Sequence, residues 1–555
     1  MNSLQKVLHI FKSPALSQVF RWGRCIRLRQ VIICLAVVLN TLASLGTTLV
    51  TRGLIDSAVS SQADGLWRWG ILLAVLIAAE RLLRVLSSGL RLTASARLQR
   101  DLQGQLMTGL LSREYPGLKR YHSGELVNRV FSDVGVVKGG IMNMPSNLCS
   151  MLVSFVGAVI IVGSMSWQLV IALLAGSVLG AGILLLFRNP MKDRHKRMQE
   201  ADSHLHASVQ ETLENVRLVK ASLSEEQILR RVHQNQQELE QEQVRQGRFS
   251  LVMNHSLGTM FDISWLVCML WGCVCIFRGQ LTYGSLAALI QLIGRIQGPI
   301  AGAADLAAQA YGVIASAERL QELLALPEEK QAAPVRDFDK ITLENVSFAY
   351  EDGNEEVLHG ISCEIRKGDA VALTGISGGG KTSLFQLLLG IYAPVSGRIV
   401  FHTPEGDTEA NRGTRALFAY VPQGNTLISG TLRENLTLFA GEATDEQLKA
   451  ACRAACIEPL VEELGLGAML GERGVGLSEG QAQRVAVARA ILSGAPILLL
   501  DESTSALDEA TEAELLRNLS GMEGKTCLIV THRRAALEIC NRELHIDGGR
   551  MKGNP

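Results

Sequence analysis

The 555 residues offer no excess of charge of either sign: 54 Lys and Arg balance 54 Asp and Glu, and the basic residues are scattered along the chain. Without a basic stripe there is no electrostatic footprint for nucleic acid, so no nucleic-acid partner is expected. A cysteine framework is missing too. Among the 11 cysteines, Cys268, Cys273 and Cys275 sit in an apolar run, and Cys452 with Cys456 has no neighbouring histidine to complete a metal set. All are read as reduced packing residues. The first 30 residues lack the continuous apolar stretch and cleavage site of a secretory signal; Leu4, Leu8 and Phe11 are spaced as on an amphipathic helix at a membrane surface. No solenoid-type repeat is present.

What the chain has in quantity is apolar sequence. Hydrophobic residues make up 47% and the mean hydropathy is +0.19, at the upper edge for a soluble protein. Windows near residues 31–51, 68–90, 146–166, 168–188, 257–277 and 283–305 each approach the length of a bilayer span. Arg21, Arg24, Arg27 and Arg29 precede the first window, whereas 56–66 contains no Lys or Arg. The positive-inside rule therefore places the N-terminus in the cytoplasm, and six crossings return the chain there. Outer connections such as 164–168 and 278–283 are minimal, while 91–140 and 189–250 are long, charged and cytoplasmic.

Past residue 325 the character changes. The segment 326–340 is a polar, Pro-containing linker, so the expected division is a membrane domain over 1–325 and an α/β domain over 341–555. Strand-like runs at 341–346, 370–374, 416–421, 497–500 and 527–530 alternate with helical segments, which predicts a largely parallel sheet.

Chemistry concentrates in that second domain. Gly375-Ile376-Ser377-Gly378-Gly379-Gly380-Lys381-Thr382 follows an apolar strand and precedes the helical run from Ser383. A strand, a glycine-rich turn and a helix in that order form a P-loop: backbone N–H groups and a helix N-terminus face ATP phosphates, Lys381 reaches the β- and γ-phosphates, and Thr382 ligates Mg²⁺. Ile497 to Leu500 end in Asp501-Glu502. At a strand tip Asp501 would hold Mg²⁺ directly or through water, and Glu502 would act as general base; taken alone, the pair reads equally well as a surface loop.

With these residues in place the chain resembles the ATP-binding cassette (ABC) transporters in the exporter arrangement, a half-transporter with the membrane domain first. Leu477-Ser478-Glu479-Gly480-Gln481 with Gln483-Arg484 is similar to the family's signature, and Tyr350, Gln423, Ser505-Ala506-Leu507-Asp508 and His532 fall in the family's order. The resemblance implies that Tyr350 stacks on adenine, Gln423 senses Mg²⁺ and the attacking water, and His532 contacts the γ-phosphate. It implies further that Ser478, Gly480 and Gln481 complete a second chain's site and that Ser505 to Asp508 touch the partner. The same resemblance extends over Tyr121 to Leu126 with Arg129 to Asp133, and over Val216 to Lys220 with Glu225, placing coupling helices near 113–123 and 208–222. Glu479 departs from the usual glycine. There is no room for an N-terminal cysteine-protease domain, so leader-peptide cleavage is not expected.

The implied protein is a multi-pass membrane ATPase with its ATPase domain in the cytoplasm, in a bacterial cytoplasmic membrane. A second copy or a related half-transporter is the partner, and a peptide, lipid or amphiphilic small molecule is exported by alternating access. An ATP-gated channel or regulatory ATPase is the alternative; a substituted Glu502 or His532 would favour it, and neither is substituted. Polar residues inside the windows raise one more expectation. Glu80 and Arg84 are spaced for a local ion pair, whereas Asp262, Gln291 and Arg295 line a cargo cavity or pair between helices.

Overall fold

A computed structural model describes residues 14–552, except 352, 354, 472, 473, 475, 523 and 532. The positions Leu4, Leu8, Phe11 and His532 therefore lie outside the described residues. The chain divides into two compact units, Met1–Gly109 with Ser123–Ala325 and Leu110–His122 with Leu326–Pro555. The sequence placed 110–122 with the membrane half; in the structure this stretch belongs to the second unit.

The first unit is helical throughout. A short helix α1 (Pro14–Trp22) leads into α2 (Arg27–Val59) and α3 (Ala63–Leu111), and after α4 (Tyr115–Lys119), which belongs to the second unit, the chain continues through α5 (Ser123–Asn128). A π-helical turn at Arg129–Asp133 opens α6 (Val134–Met165), followed by α7 (Trp167–Glu214), α8 (Val216–Ala221), α9 (Glu225–Phe277) and α10 (Tyr283–Leu324). Each of the six expected windows thus falls on one long helix, the third running one residue past Met165. At about 1.5 Å rise per residue, helices of 48 to 53 residues extend far beyond a hydrocarbon layer about 30 Å thick, so their charged ends stand in water. By length and composition, three helical stretches among the described residues are apolar enough to cross a membrane: Leu16–Val59, Ser123–Met165 and Glu225–Phe277. In α3, Glu80, Arg81 and Arg84 interrupt the window, and α10 is diluted by Gln291, Arg295 and Gln297.

Close helix approach explains part of the glycine content: a Cβ on Gly157 of α6 would meet Leu45 Cδ1 of α2 at 2.3 Å. The buried cluster around that contact includes Ala158, Val162, Leu173, Leu289 and Leu292. Away from the apolar windows, the π-helical turn is tied to α10 by charge. Arg129 bridges Glu125 at 2.7 Å and Glu322 at 2.9 Å, and buried Asp133 accepts from Ser316 Oγ at 2.8 Å and Arg319 Nε at 2.9 Å. Burial pushes the Asp133 carboxyl up, but those two donors outweigh it and hold the group below the usual range.

The second unit is an α/β fold. Its main sheet runs β12-β11-β3-β10-β9-β6, with β3 (Ala370–Thr374), β6 (Phe418–Val421), β9 (Ile497–Asp501), β10 (Thr526–Val530) and β11 (Arg542–Asp547) parallel and β12 (Arg550–Lys552) antiparallel. The sequence read 341–346 as part of the parallel core. That run instead forms β1 (Lys340–Phe348) of a separate antiparallel sheet with β2 (Leu358–Arg366), β4 (Ser396–Thr403) and β5 (Gly406–Glu409). Residues 416–417, read as strand, close a 3₁₀ turn before β6. Strands β9 and β10 are buried at every position, as expected of parallel strands covered on both faces.

Candidate ATPase site

The site forms where β3 runs into a turn and then α11 (Lys381–Leu388). Gly375 has φ +136°, and a Cβ there would sit 1.8 Å from the Ile546 carbonyl oxygen on β11, so only glycine fits. Gly380, at φ +97°, caps the helix in the left-handed region. Ser377 and Gly378 are exposed at the crest while Gly379 is buried beneath. Lys381 is 5% exposed and folds back over the turn, Nζ donating to Gly375 O at 2.8 Å and Ile376 O at 2.9 Å. Burial pulls its amine down, against the charges of Glu502 and Asp501.

Asp501 ends β9 with 2% exposure and accepts from Thr382 Oγ1 at 3.3 Å and Tyr420 Oη at 3.2 Å. Its oxygens meet neutral hydroxyls, and burial pushes the carboxyl up. The Thr382 hydroxyl and the Asp501 carboxylate form an oxygen-rich pair whose chemistry suits a divalent cation, which they and Gln423 would hold. Glu502 follows at φ +48°, a left-handed conformation that costs a non-glycine residue energy and aims its carboxylate off the strand end. Gln423 Nε2 donates to Glu502 Oε2 at 2.9 Å. Thr382, Asp501, Glu502 and Gln423, which are far apart in sequence, therefore converge at one edge of the sheet.

The signature lies elsewhere. Ser478 is the N-cap of α15 (Glu479–Leu492; α12, Leu432–Thr437, α13, Asp445–Ala454, and α14, Glu458–Leu464, intervene). Its Oγ accepts from Gln481 N at 3.2 Å, and its own N–H donates to Gln481 Oε1 at 2.8 Å, a reciprocal cap. Glu479 stands in the first helical turn, where a carboxylate suits the helix dipole. A Cβ on Gly480 would lie 3.0 Å from Ala506 O, so the signature packs against the loop 505–508. Among the described residues, none of Ser478, Gly480 and Gln481 hydrogen-bonds to 375–383. Asp508 caps α16 (Glu509–Ser520) through Thr511, which holds its carboxyl below the usual range.

Tyr350 has its hydroxyl against Ser383 Oγ at 2.8 Å and Gln386 Oε1 at 3.2 Å. Phe348 and Tyr392 meet its ring edge-on, with centroids at 4.8 and 5.4 Å, and Lys119 of α4 lies 4.5 Å from its centroid. Lys119 was missed by the sequence reading, because nothing local in 115–119 signals a cation over an aromatic ring. Tyr420 and Arg533 were missed too. Arg533 donates to Ser505 O and Leu507 O, both at 2.7 Å, and to buried Glu512 at 2.8 Å, fixing the 505–508 loop. Tyr420 lies three residues before Gln423, and nothing in the local sequence signals its contact with Asp501.

Comparison with known proteins decides the family. Residues 31–300 match the family model of the ABC transporter transmembrane region and 358–505 match that of the ABC transporter. A probable multidrug resistance ABC transporter ATP-binding/permease protein of Bacillus subtilis, YheI, is 30% identical over 81% of this chain and 79% of its own length. This chain is an ABC transporter. The transporter is also 30% identical to the glutathione/L-cysteine transport protein CydC of Escherichia coli, over 94% of this chain and 92% of CydC. Its fold matches a bacterial Atm1-family ABC exporter with ATP bound at TM-score 0.78, 23% identity and 95% coverage of both chains. It is thus a membrane-embedded, nucleotide-binding transport ATPase of the exporter arrangement.

In the transporter's membrane unit, Asp262 lies on α9, and Gln291 and Arg295 lie four apart on α10. Asp262 and Gln291 are exposed, whereas Arg295 Nη2 donates to Ser44 Oγ at 2.7 Å and Ser44 O at 3.0 Å on α2. Glu80 and Arg84 do not form the expected pair. Glu80 is half-buried, its Oε1 without a partner among the described residues, while Arg84 is exposed.

Proposed function

We propose that two copies of this transporter form one ATP-driven exporter with two composite ATP sites. One chain would supply Gly375 to Ser383, Tyr350, Gln423, Asp501 and Glu502, and the other Ser478, Gly480 and Gln481, with Ser505 and Asp508 at the junction. The supporting observation is the separation in one chain: a converged Thr382–Asp501–Glu502–Gln423 edge and a signature that makes no hydrogen bond to it among the described residues.

In this reading Lys381 leaves the carbonyls of Gly375 and Ile376 for the phosphates, and the turn's N–H groups cradle them. Mg²⁺ at Thr382, Asp501 and Gln423 would neutralise phosphate charge. Glu502, held by Gln423, accepts a proton from the attacking water. His532 contacts the γ-phosphate. Closure of the paired ATPase units would turn the membrane units outward, and hydrolysis would reset them. The protein would lie in the bacterial cytoplasmic membrane with its N-terminus and ATPase units inside. The relatives' names, multidrug in one case and glutathione/L-cysteine in the other, favour a small or amphiphilic cargo without choosing one.

Glu502→Gln tests the reading. Turnover is expected to fall by about 10² to 10⁴ while ATP becomes trapped in the dimer. Wild-type turnover would remove Glu502 from the chemistry, and lost turnover without trapping would make its role structural.

A further inference from the structure

We propose that the groove between α2 and α3 binds the anionic phosphate headgroup of a lipid from the inner leaflet. A cavity of about 610 Å³ lies there, lined by Asn40 of α2 and by Arg84, Ser87, Ser88, Arg91 and Ser95 of α3, among others. That volume suits a small-molecule headgroup. No carboxylate lines it among the described residues, so its charge is all positive. The Arg84 guanidinium makes no hydrogen bond or ion pair among the described residues. Arg91 reaches only neutral partners, Asn143 Oδ1 and Ser146 Oγ, both at 3.3 Å. Asn40 Oδ1 is buried without a partner among the described residues.

A cation within a span, as Arg84 is, costs at least about 2.5 to 3.5 kcal/mol on insertion scales, and neither Glu80 nor any other carboxylate among the described residues pairs with it; Arg91 stands at the cytoplasmic end of the same helix. A phosphate between Arg84 and Arg91 supplies the missing charge. A headgroup hydroxyl supplies the donor that Asn40 Oδ1 lacks, and the serines add further donors. Access from the cytoplasmic side is built in. A second cavity of about 540 Å³, lined by Arg29, Arg97 and Arg100, shares Ala96 with the first and extends the positive track towards the basic start of α2. Arg100 in that track is paired with Asp101 at 2.9 Å, which leaves Arg29 and Arg97 to face an anionic leaflet surface. Leu92 on the groove wall and Leu35 and Val85 outside it are exposed apolar residues against which acyl chains can lie. The leaflet rests on the cytoplasmic N-terminus proposed above, whereas headgroup binding itself stands apart from the dimer and from the direction of transport.

Native mass spectrometry of the full-length transporter, with phosphatidylglycerol, phosphatidylcholine and soluble glycerol 3-phosphate as probes, tests it. Phosphatidylglycerol is expected to bind about tenfold more tightly than phosphatidylcholine, and Arg84→Gln to remove that preference, a change of about 1.4 kcal/mol. Asn40→Leu should weaken the glycerol headgroup by a few-fold. Because Arg91 also braces α6, Arg84→Gln carries the decision, with unchanged basal ATP turnover showing an intact fold. Equal binding of the two lipids, or phosphatidylglycerol affinity unmoved by Arg84→Gln, overturns the site. Glycerol 3-phosphate binding as tightly as the lipid overturns the lipid source, and loss of the dimer in Arg84→Gln would give the groove to a partner chain.

Discussion

The polar groups around the nucleotide edge and those along the apolar helices are met differently, although Arg113 Nε, Tyr392 Oη and Ser503 Oγ of the second unit are also buried without a partner among the described residues. In the ATPase unit, Asp501, Glu512, Arg533 and Lys381 are each met by groups of the same unit within hydrogen-bond distance. In the membrane unit, Glu80, Asn40 and Gln297 bury side-chain atoms with no partner among the described residues. An unmet buried polar atom costs about 1 to 3 kcal/mol, so it persists where something outside the chain meets it.

Four substitutions break or sharpen that contrast. Gly375→Ala forces a Cβ against the Ile546 carbonyl in a left-handed conformation, and should cost the ATPase unit about 3 to 5 kcal/mol and abolish ATP binding, read by urea unfolding and nucleotide titration. Asp133→Asn removes the acceptor for Arg319 and Ser316 at the π-helical turn, with an expected loss of about 1.5 to 3 kcal/mol in thermal unfolding. Since the folded Asp133 carboxyl is held below its unfolded value near 3.9, its contribution is present above that pH. It is lost as pH falls through the folded value, so the variant should lack that part of the acid limb.

Ser478→Ala deletes the helix cap and should cost about 1 kcal/mol of stability. The smallest effect is expected in the membrane unit. Glu80→Gln keeps the shape of a side chain whose Oε1 accepts from no donor, and should change stability by less than about 1 kcal/mol. A loss several times larger would mean that Glu80 is paired after all, and the contrast between the units would fail there.

The same difference governs what was legible in the sequence. The P-loop, the Asp501-Glu502 strand tip and the parallel strands were readable because their residue types follow from local geometry: glycine where φ is positive, β-type runs where both faces are covered. Tyr350 over Lys119, Arg533 on the 505–508 loop and Ser44 beneath Arg295 were not readable. Each joins positions far apart in sequence through one contact with no periodic signature. The Glu80–Arg84 pair failed for a related reason. Spacing of four puts two residues on one face, but neighbouring helices decide which of them is buried.

The account centres on an ATP site that one chain cannot complete. Co-expressing Lys381→Ala chains with Ser478→Arg chains, and purifying the mixed dimer by two tags, tests this directly. The Lys381→Ala chain keeps an intact signature and the Ser478→Arg chain an intact P-loop, so the mixed dimer holds one whole composite site. ATP turnover that neither parent dimer shows is the expected result. Activity in the Ser478→Arg dimer alone, or a mixed dimer as inactive as both parents in turnover and in nucleotide trapping, would contradict a site shared between chains.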